Sequence, residues 1–447
     1  MSAYKVSGAA QLTVEKNVSI ALKKPSKKDF LAQVRLHSTS CFMLLLILLN
    51  VSSCFSQSGT ENQRYEFNMD KCKNLNCEFH LIAVDERDHG SGQLFLGASN
   101  HLFQLSHDLK FIKKVVTGPS EGSNVIAKIL LIDERNQRII VCYNVRHGTC
   151  ELRSLADISD VRNGFNSTKM STQQYVAAPG DLSTIAFIST LPKDGSQYLY
   201  VGSSKTSQDV VDEQGEVVLT VSRRLLFDND RDPDMFSSRL FQEGLLIGEM
   251  GLEMKQAKYA RRNFRVTFLD GFTSKNTGFF VITHPVTVND EPSFLRNFTF
   301  VSQLCLGSNP SGLLRSYLEL QIECKLNGVT HGTAITSKTA RVGRSLAAQL
   351  GIPVGKSNDV LFVSFKDRSR QDGSVICLYP IHQIEEKFVS VVSNCMKGSG
   401  GTAKQIQWLK RKIPSCGKAV STIYLKPVEC SKIWHWILQF VASCCCF

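Results

Sequence analysis

The sequence predicts an all-β fold, and three observations support this. Short apolar, β-branched runs recur along much of the 447 residues, polar or glycine-containing turns separate them, and helical periodicity is almost absent. Arg138–Cys142 is followed by a turn that contains Gly148 and by a second run, Cys150–Leu155. The two runs predict a hairpin with a cysteine at each foot. Strand after strand of this kind is typical of a β-sandwich, barrel or propeller.

Further predicted strands lie on both sides of this hairpin. Gly92–Leu109 contains two strands around a Gly-Ala-Ser-Asn turn, and Asn124–Asp133 supplies the next strand. The later ones are Ile185–Ile188, Tyr198–Gly202, Glu216–Val221, Leu225–Phe227, Arg265–Leu269, Gly278–Thr283, the alternating run Ser311–Glu323 that ends at Cys324, and Val360–Phe365. Ala340–Gly351 has apolar residues at helical spacing and predicts a short helix.

These segments, in this order, closely resemble the sema domain of plexins, the cell-surface receptors for semaphorins. The resemblance is carried by LFLGASNHLFQLSHDL (94–109), LLIDERNQRIIVC (130–142) and HGTCELRSLADIS (147–159), and it continues through Ser374–Phe388 to Trp408–Cys416. It implies a sema-type seven-bladed β-propeller with four antiparallel strands per blade. Roughly five blades are expected in this chain, so the propeller is incomplete and stapled by disulfides.

Three regions are expected along the chain. Residues 1–57 form a basic segment and a secretory signal peptide, because the apolar run Cys41–Val51 follows bases, precedes serines and is too short to span a bilayer. A signal anchor is the alternative. Residues 64–430 form the partial sema propeller. Residues 431–447 are an apolar, cysteine-rich tail without a family counterpart, such as an alternative exon or a truncated gene model would produce.

Ten cysteines lie between leader and tail, and an even number behind a signal peptide indicates a disulfide framework. Spacing alone supports the local pairs Cys72–Cys77 and Cys142–Cys150. The resemblance implies three longer links: Cys305–Cys430, Cys324–Cys377 and Cys395–Cys416. Thr117–Asn124 departs from the family, because many plexins carry another cysteine pair there. Asn166 and Asn297 lie in glycosylation sequons.

No pattern in the sequence indicates catalysis, a cofactor or a metal. A propeller glycosidase would need paired carboxylates in one pocket, and no nucleophile, phosphate-loop or zinc motif is present. The acidic segment Asp228–Met235 lacks EF-hand spacing, with Pro233 in place of the required glycine turn, and predicts an exposed loop. The expectation is therefore a protein that is not an enzyme.

The charge balance adds one binding hypothesis. The net charge is +12, and removing residues 1–40, with seven bases and two acids, leaves about +7. Arg261–Arg262–Arg265 and Lys410–Arg411–Lys412 are candidate glycosaminoglycan-binding patches, with a solvated face as the alternative. Nucleic acid is not expected as a partner.

The resemblance implies a function as the extracellular ligand-binding portion of a plexin-like semaphorin receptor, acting in axon guidance and cell migration. The expected partner is the sema domain of a semaphorin, and a co-receptor or a second copy of the chain are further partners. The expected location is the secretory pathway, with the full receptor at the cell surface and this chain secreted or retained. A semaphorin-like or decoy protein and a non-functional fragment are the alternatives. No ligand-contact residue is assigned, because the contact surface of the family has no motif.

Overall fold

The computed structural model describes part of the chain. The described residues are 2–7, 11–14, 20–21, 79–85, 92–117, 125–144, 148–164, 175–178, 180, 182–191, 195–206, 219–242, 245–249, 251–252, 264–287, 295–306, 316–367 and 373–396. The chain divides into two compact units. Unit 1 is built mainly from Phe264–Cys305 and Arg315–Cys445, and unit 2 mainly from Gly59–Asn263. Three short strands near the start of the sequence are β1 (Ser2–Ser7), β2 (Gln11–Val14) and β3 (Ile20–Ala21).

In the part of unit 2 that the structure describes, three four-stranded antiparallel sheets follow one another along the chain. Sheet 1 consists of β4 (Phe79–Val84), β5 (Gln93–Ala98), β6 (His101–Ser106) and β7 (Phe111–Val116). Sheet 2 consists of β8 (Ala127–Asp133), β9 (Arg138–Tyr143), β10 (Cys150–Ser154) and β11 (Val161–Asn163). Sheet 3 includes β12 (Thr184–Thr190), β13 (Gln197–Ser203), β15 (Val221–Leu226) and β18 (Gly251–Leu252). Three more strands lie in the sequence between strands of sheet 3. They are β14 (Lys205–Thr206) and the hairpin of β16 (Arg239–Gln242) and β17 (Leu245–Glu249).

Among its described residues, unit 1 contains two larger antiparallel sheets and two helices. Sheet 4 includes β19 (Arg265–Ser274), β20 (Thr277–Thr287), β21 (Leu295–Cys305) and β22 (Leu318–Ile322). A small hairpin, β23 (Cys324–Leu326) and β24 (Val329–His331), leads to sheet 5, which includes β25 (Ala334–Arg341), β26 (Asp359–Lys366) and β27 (Ser374–Pro380). β1 and β3 both pair with β27, and β2 pairs with β1. The helices are α1 (Arg344–Gln349) and α2 (Ile381–Met396).

The alternation of side chains in β9 explains how the sheets of unit 2 stack. Ile139 and Val141 are buried with Phe95 and Leu102 of sheet 1, whereas Ile140 is buried with Leu199 of sheet 3. Successive residues of a strand point to opposite faces, so sheet 2 must be apolar on both. Each fully buried aliphatic side chain of this kind contributes about 1.5–3 kcal/mol of hydrophobic free energy. In unit 1, sheets 4 and 5 share one core in the same manner.

The fold-class prediction is confirmed, since five antiparallel sheets of four or more strands match the blade pattern of a partial propeller. The predicted hairpin is β9–β10, and its register places Cys142 opposite Cys150. The predicted Gly-Ala-Ser-Asn turn joins β5 to β6, with Asn100 in the left-handed region at φ 59°. The leader and the tail remain predictions, because most of both segments lies outside the described residues.

Two predicted boundaries are wrong in sheet 3 and near Cys324. Among the described residues, one continuous strand, β15, covers Val221–Leu226, where the sequence predicts the end of one strand, Glu216–Val221, and a second strand, Leu225–Phe227. Positions 216–218 lie outside the described residues. The intervening Arg223 and Arg224 break the apolar pattern, but both are buried: Arg224 donates to the Tyr175 carbonyl, and Arg223 lies over the Tyr198 ring. The run predicted to end at Cys324 is divided between β22 and β23.

The two helices differ in how far the sequence predicts them. The helix expected in Ala340–Gly351 is present but shorter, because β25 continues to Arg341 and α1 begins only at Arg344. Gly351, just beyond α1, adopts φ +67°, a conformation that favours glycine after a helix. Helix α2 is not predicted, although Ile381, Ile384 and Phe388 have helical spacing and are buried. Among the described residues, neither helix is long and apolar enough to cross a membrane.

Candidate protein-binding surface and its framework

The disulfide at the foot of the predicted hairpin is present. The Sγ atoms of Cys142 and Cys150 are 1.98 Å apart, and their Cα atoms are 3.9 Å apart across β9 and β10. The turn between these strands contains Gly148, whose carbonyl oxygen accepts hydrogen bonds from the N–H groups of Val176 and Ala177. The hairpin turn is therefore fixed against the segment that leads into sheet 3.

A second disulfide joins Cys324 of β23 to Cys377 of β27, with Cα atoms 5.8 Å apart. It corresponds to one of the links that the plexin resemblance implies. Cys305 lies buried at the end of β21, and its expected partner Cys430 is outside the described residues. Cys395 lies in α2, but its expected partner Cys416, and both Cys72 and Cys77, are also outside them. These three pairs stay predictions.

The acidic loop after β15 is held by a buried arginine. Arg138 is completely buried, donates from Nε to Asp133 Oδ2 at 2.8 Å and from Nη1 to the Phe227 carbonyl at 2.8 Å, and pairs with Asp230. Asp230, one of the four acids of Asp228–Met235, is thus engaged by a cation of the protein itself. Within the described residues no group of three or more His, Cys, Asp or Glu could hold a metal ion.

Two further charged clusters are interior and serve the framework. In sheet 2, Glu151 accepts from Arg153 Nε at 2.6 Å and from the Tyr143 hydroxyl. Burial, and then the negative charge of Glu151, raises the pKa of the Tyr143 phenol. In sheet 4, Glu319 lies 3.1 Å from His284 Nε2 and accepts from the Tyr317 hydroxyl at 2.9 Å. These groups are buried, so a macromolecular ligand cannot reach them.

Of the five exposed large apolar side chains that the structure describes in unit 2, four lie on the edge strands β7 and β11, and the fifth, Val84, lies on the edge strand β4. Val116 is 65% exposed, Ile112 45% and Phe111 36% on β7, and Val161 is 43% exposed on β11. We call these four residues the edge surface. Among the described strands, β7 pairs only with β6 and β11 only with β10. Exposed apolar side chains are a common feature of protein-binding surfaces.

The charges around the edge surface are mostly paired. Lys113 Nζ lies 2.8 and 2.6 Å from the two carboxylate oxygens of Asp157, which joins β7 to the turn before β11. The hydrogen bond from Lys113, supported by Ser159, lowers the pKa of Asp157 to about 2. Lys114 Nζ lies 5.8 Å from the centre of the Phe103 ring. Lysines on an edge strand also disfavour pairing with another copy of the same strand.

The other sequence-predicted sites are only partly described. Asn297 is exposed on β21, where an attached glycan would have access to solvent, whereas Asn166 is outside the described residues. Arg265 is exposed at the start of β19, but the other residues of the two basic clusters are not described. The edge surface was missed from the sequence. Its only signal is the run FIKKVV (111–116), in which two lysines interrupt an otherwise apolar strand.

Comparison with known proteins identifies the fold and the relatives. No protein-family model matches the chain. Plexin-A4 of Mus musculus is 26% identical over 369 residues, which are 77% of this chain and 18% of that protein. Plexin-A3 of Homo sapiens is 24% identical over 73% of this chain, and plexin-A2 of Homo sapiens is 22% identical over 82% of it. The chain spans about a fifth of the length of these relatives.

The solved structures agree with the sequence relatives. The full extracellular region of plexin A4, in a structure of domains 1 to 8, superposes with a TM-score of 0.63 and 24% identity, covering 79% of this chain and 39% of that one. A second structure, of domains 1 to 10, gives the same TM-score and covers 30% of its own chain. By sequence and by fold, this chain is similar to the extracellular sema-domain region of plexins.

Proposed function

We propose that the chain is the extracellular ligand-binding part of a plexin-like semaphorin receptor, with the sema domain of a semaphorin as its partner. The observation that carries the proposal is the relationship to plexins, which extends in order over 77% of the chain. The same relationship favours the secretory pathway, where the disulfides of unit 1 and unit 2 would form and persist. Signalling in axon guidance and cell migration would belong to the whole receptor.

We infer that the edge surface contributes to ligand contact. Its apolar side chains lie on strands of two adjacent sheets, and the Lys113–Asp157 pair links β7 to the turn before β11. A rigid surface loses little conformational entropy on binding, so its apolar area converts more fully into affinity. The surrounding paired charges would form the polar rim that such interfaces carry.

A binding measurement with surface variants tests both parts of the proposal. The full chain is expressed in a secretory host, and a panel of immobilised semaphorin sema domains is assayed by surface plasmon resonance. One or more semaphorins should bind, and Ile112→Asp and Val116→Asp should weaken that binding about tenfold or more, since each places a charge in an apolar contact. Val354→Asp in unit 1 is the matched control, because Val354 is fully exposed and lies outside the edge surface.

The possible outcomes distinguish two questions: whether the chain binds a semaphorin, and whether the edge surface is the contact. If folded, disulfide-intact chain binds no semaphorin, the receptor function is contradicted and the decoy and fragment alternatives gain weight. If a semaphorin binds and both edge variants bind equally well, the function stands and the contact lies elsewhere. Retention of the Cys142–Cys150 and Cys324–Cys377 links, mapped by non-reducing mass spectrometry, establishes that each variant is folded.

A further inference from the structure

A buried carboxyl group lies where two sheets of unit 1 meet. Asp270 is on β19 of sheet 4, next to a β-bulge, and is only 8% exposed. Its Oδ1 atom accepts a hydrogen bond from the Gly271 N–H at 2.9 Å. Its Oδ2 atom is buried and has no hydrogen-bond partner among the described residues. A buried acceptor without a partner costs free energy, and a charged one costs more.

The strand opposite supplies polar groups that are also incompletely satisfied. β19 contacts β25 of sheet 5, and Thr339 of β25 lies against the Asp270 carboxyl. The Thr339 hydroxyl lies near enough to favour the ionised carboxyl group, although its buried oxygen makes no hydrogen bond of full geometry among the described residues. An ionised Asp270 can only accept hydrogen bonds, whereas a protonated Asp270 can also donate one. Protonation of Asp270 therefore removes the buried charge and adds an O–H group that can donate to the Thr339 hydroxyl oxygen.

The nearby charges do little to stabilise the ionised form. Lys338 is the cation that acts on Asp270, but its own side chain is exposed to solvent. Arg341 on the same strand is engaged with Asp359. Glu385 of α2 is held by Ser274 and Lys275 at the end of β19. Burial therefore dominates and raises the pKa of Asp270 to about 6, with Lys338 as the largest opposing influence.

We propose that Asp270 makes the β19–β25 contact acid-sensitive, so that mild acidification tightens the packing of sheet 4 against sheet 5. The sign follows from the direction of the shift. The folded chain binds the proton more tightly than the unfolded chain, whose aspartate titrates near 3.8. Stability therefore increases as the pH falls through about 6, and stops increasing below the unfolded value. This behaviour is opposite to that of a salt-bridged carboxylate.

Hydrogen exchange of the full chain tests the proposal. Peptides that cover β19 and β25 are followed by mass spectrometry at pH 7.4 and pH 5.5, with rates corrected for the intrinsic effect of pH. In the native chain, the opening equilibrium of these strands should decrease about fourfold at pH 5.5. In Asp270→Asn, which is neutral and of the same shape, the two pH values should give the same protection.

A pH dependence that remains in Asp270→Asn overturns the proposal, as does a native chain without any change. Asp359→Asn is the matched control and should retain the full pH dependence of exchange, since Asp359 is partly exposed and paired with Arg341.

If Asp270→Asn does not fold, Thr339→Val replaces it as the test variant. Loss of the hydroxyl that favours the carboxylate should move the midpoint of the change to higher pH, and an unmoved midpoint overturns the proposal.

Discussion

The carbonyl oxygen of Gly148 accepts a hydrogen bond from the N–H of Ala177 at 2.9 Å, and this contact fixes the Cys142–Cys150 hairpin against the next segment of the chain. Gly148 has φ +75°, and a Cβ atom added there would lie 2.0 Å from the carbonyl oxygen of Ala177. The glycine is therefore required twice, once for the backbone conformation and once for the close approach.

Gly148→Ala should destabilise unit 2 by more than the about 1–3 kcal/mol that a left-handed non-glycine residue costs alone. The excess reflects the clash with Ala177, which only a backbone shift can relieve. Urea unfolding of the two chains measures the difference. Gly180→Ala is the control, because Gly180 has φ +59° but nothing within 4 Å of an added Cβ. Equal losses for the two variants would show that the contact with Ala177 is unimportant.

Arg138→Met should destabilise unit 2 by about 3–5 kcal/mol, because it leaves the buried Asp133 carboxylate without its cation. Release of the Phe227 carbonyl and of Asp230 should also increase hydrogen exchange in the loop 228–235. Arg135→Met is the control, since its pair with Asp228 is exposed and such pairs contribute about 0–1 kcal/mol. Similar losses in both variants would contradict a structural role for the buried pair.

The sequence predicts sheets better than it predicts surfaces, and particular residues show why. The strand β9 is recognisable because Ile139, Ile140 and Val141 must fill cores on both of its faces. β15 is divided in the prediction because Arg223 and Arg224 look solvent-exposed, and only the folded chain shows the partners that allow their burial. Ligand contact has even less local signal, because it depends on which strands lie at the edge of a sheet.

Helix α2 shows the same limit within the core. Its apolar residues have helical spacing, but they follow directly after β27 and the segment resembles a continuation of the sheet.

Phe388→Ala should destabilise unit 1 by about 3–5 kcal/mol, since Phe388 is 2% exposed and its ring centre lies 6.1 Å from that of Phe279. Val389→Ala, at a site 40% exposed, should change stability by less than about 1 kcal/mol. Thermal unfolding followed by circular dichroism distinguishes them, and comparable midpoints would contradict the packing of α2 described above.

The Lys113–Asp157 pair at the edge surface gives a prediction about pH. The hydrogen bonds from Lys113 and Ser159 lower the pKa of Asp157 to about 2, below the 3.8 of an unperturbed aspartate. The pair therefore contributes fully above pH 3.8, and its contribution is lost as the pH falls through about 2. Lys113→Met should raise the pKa of Asp157 toward its ordinary value, since the largest cause is removed. Titration of the Asp157 carboxyl by carbon-13 NMR measures this shift in both chains.

Lys110→Met is the control and should leave the pKa of Asp157 unchanged, because Lys110 pairs with Asp108 instead. An Asp157 that titrates near 3.8 in the native chain would show that the pair does not form in solution, and β7 would then lack its link to the turn before β11.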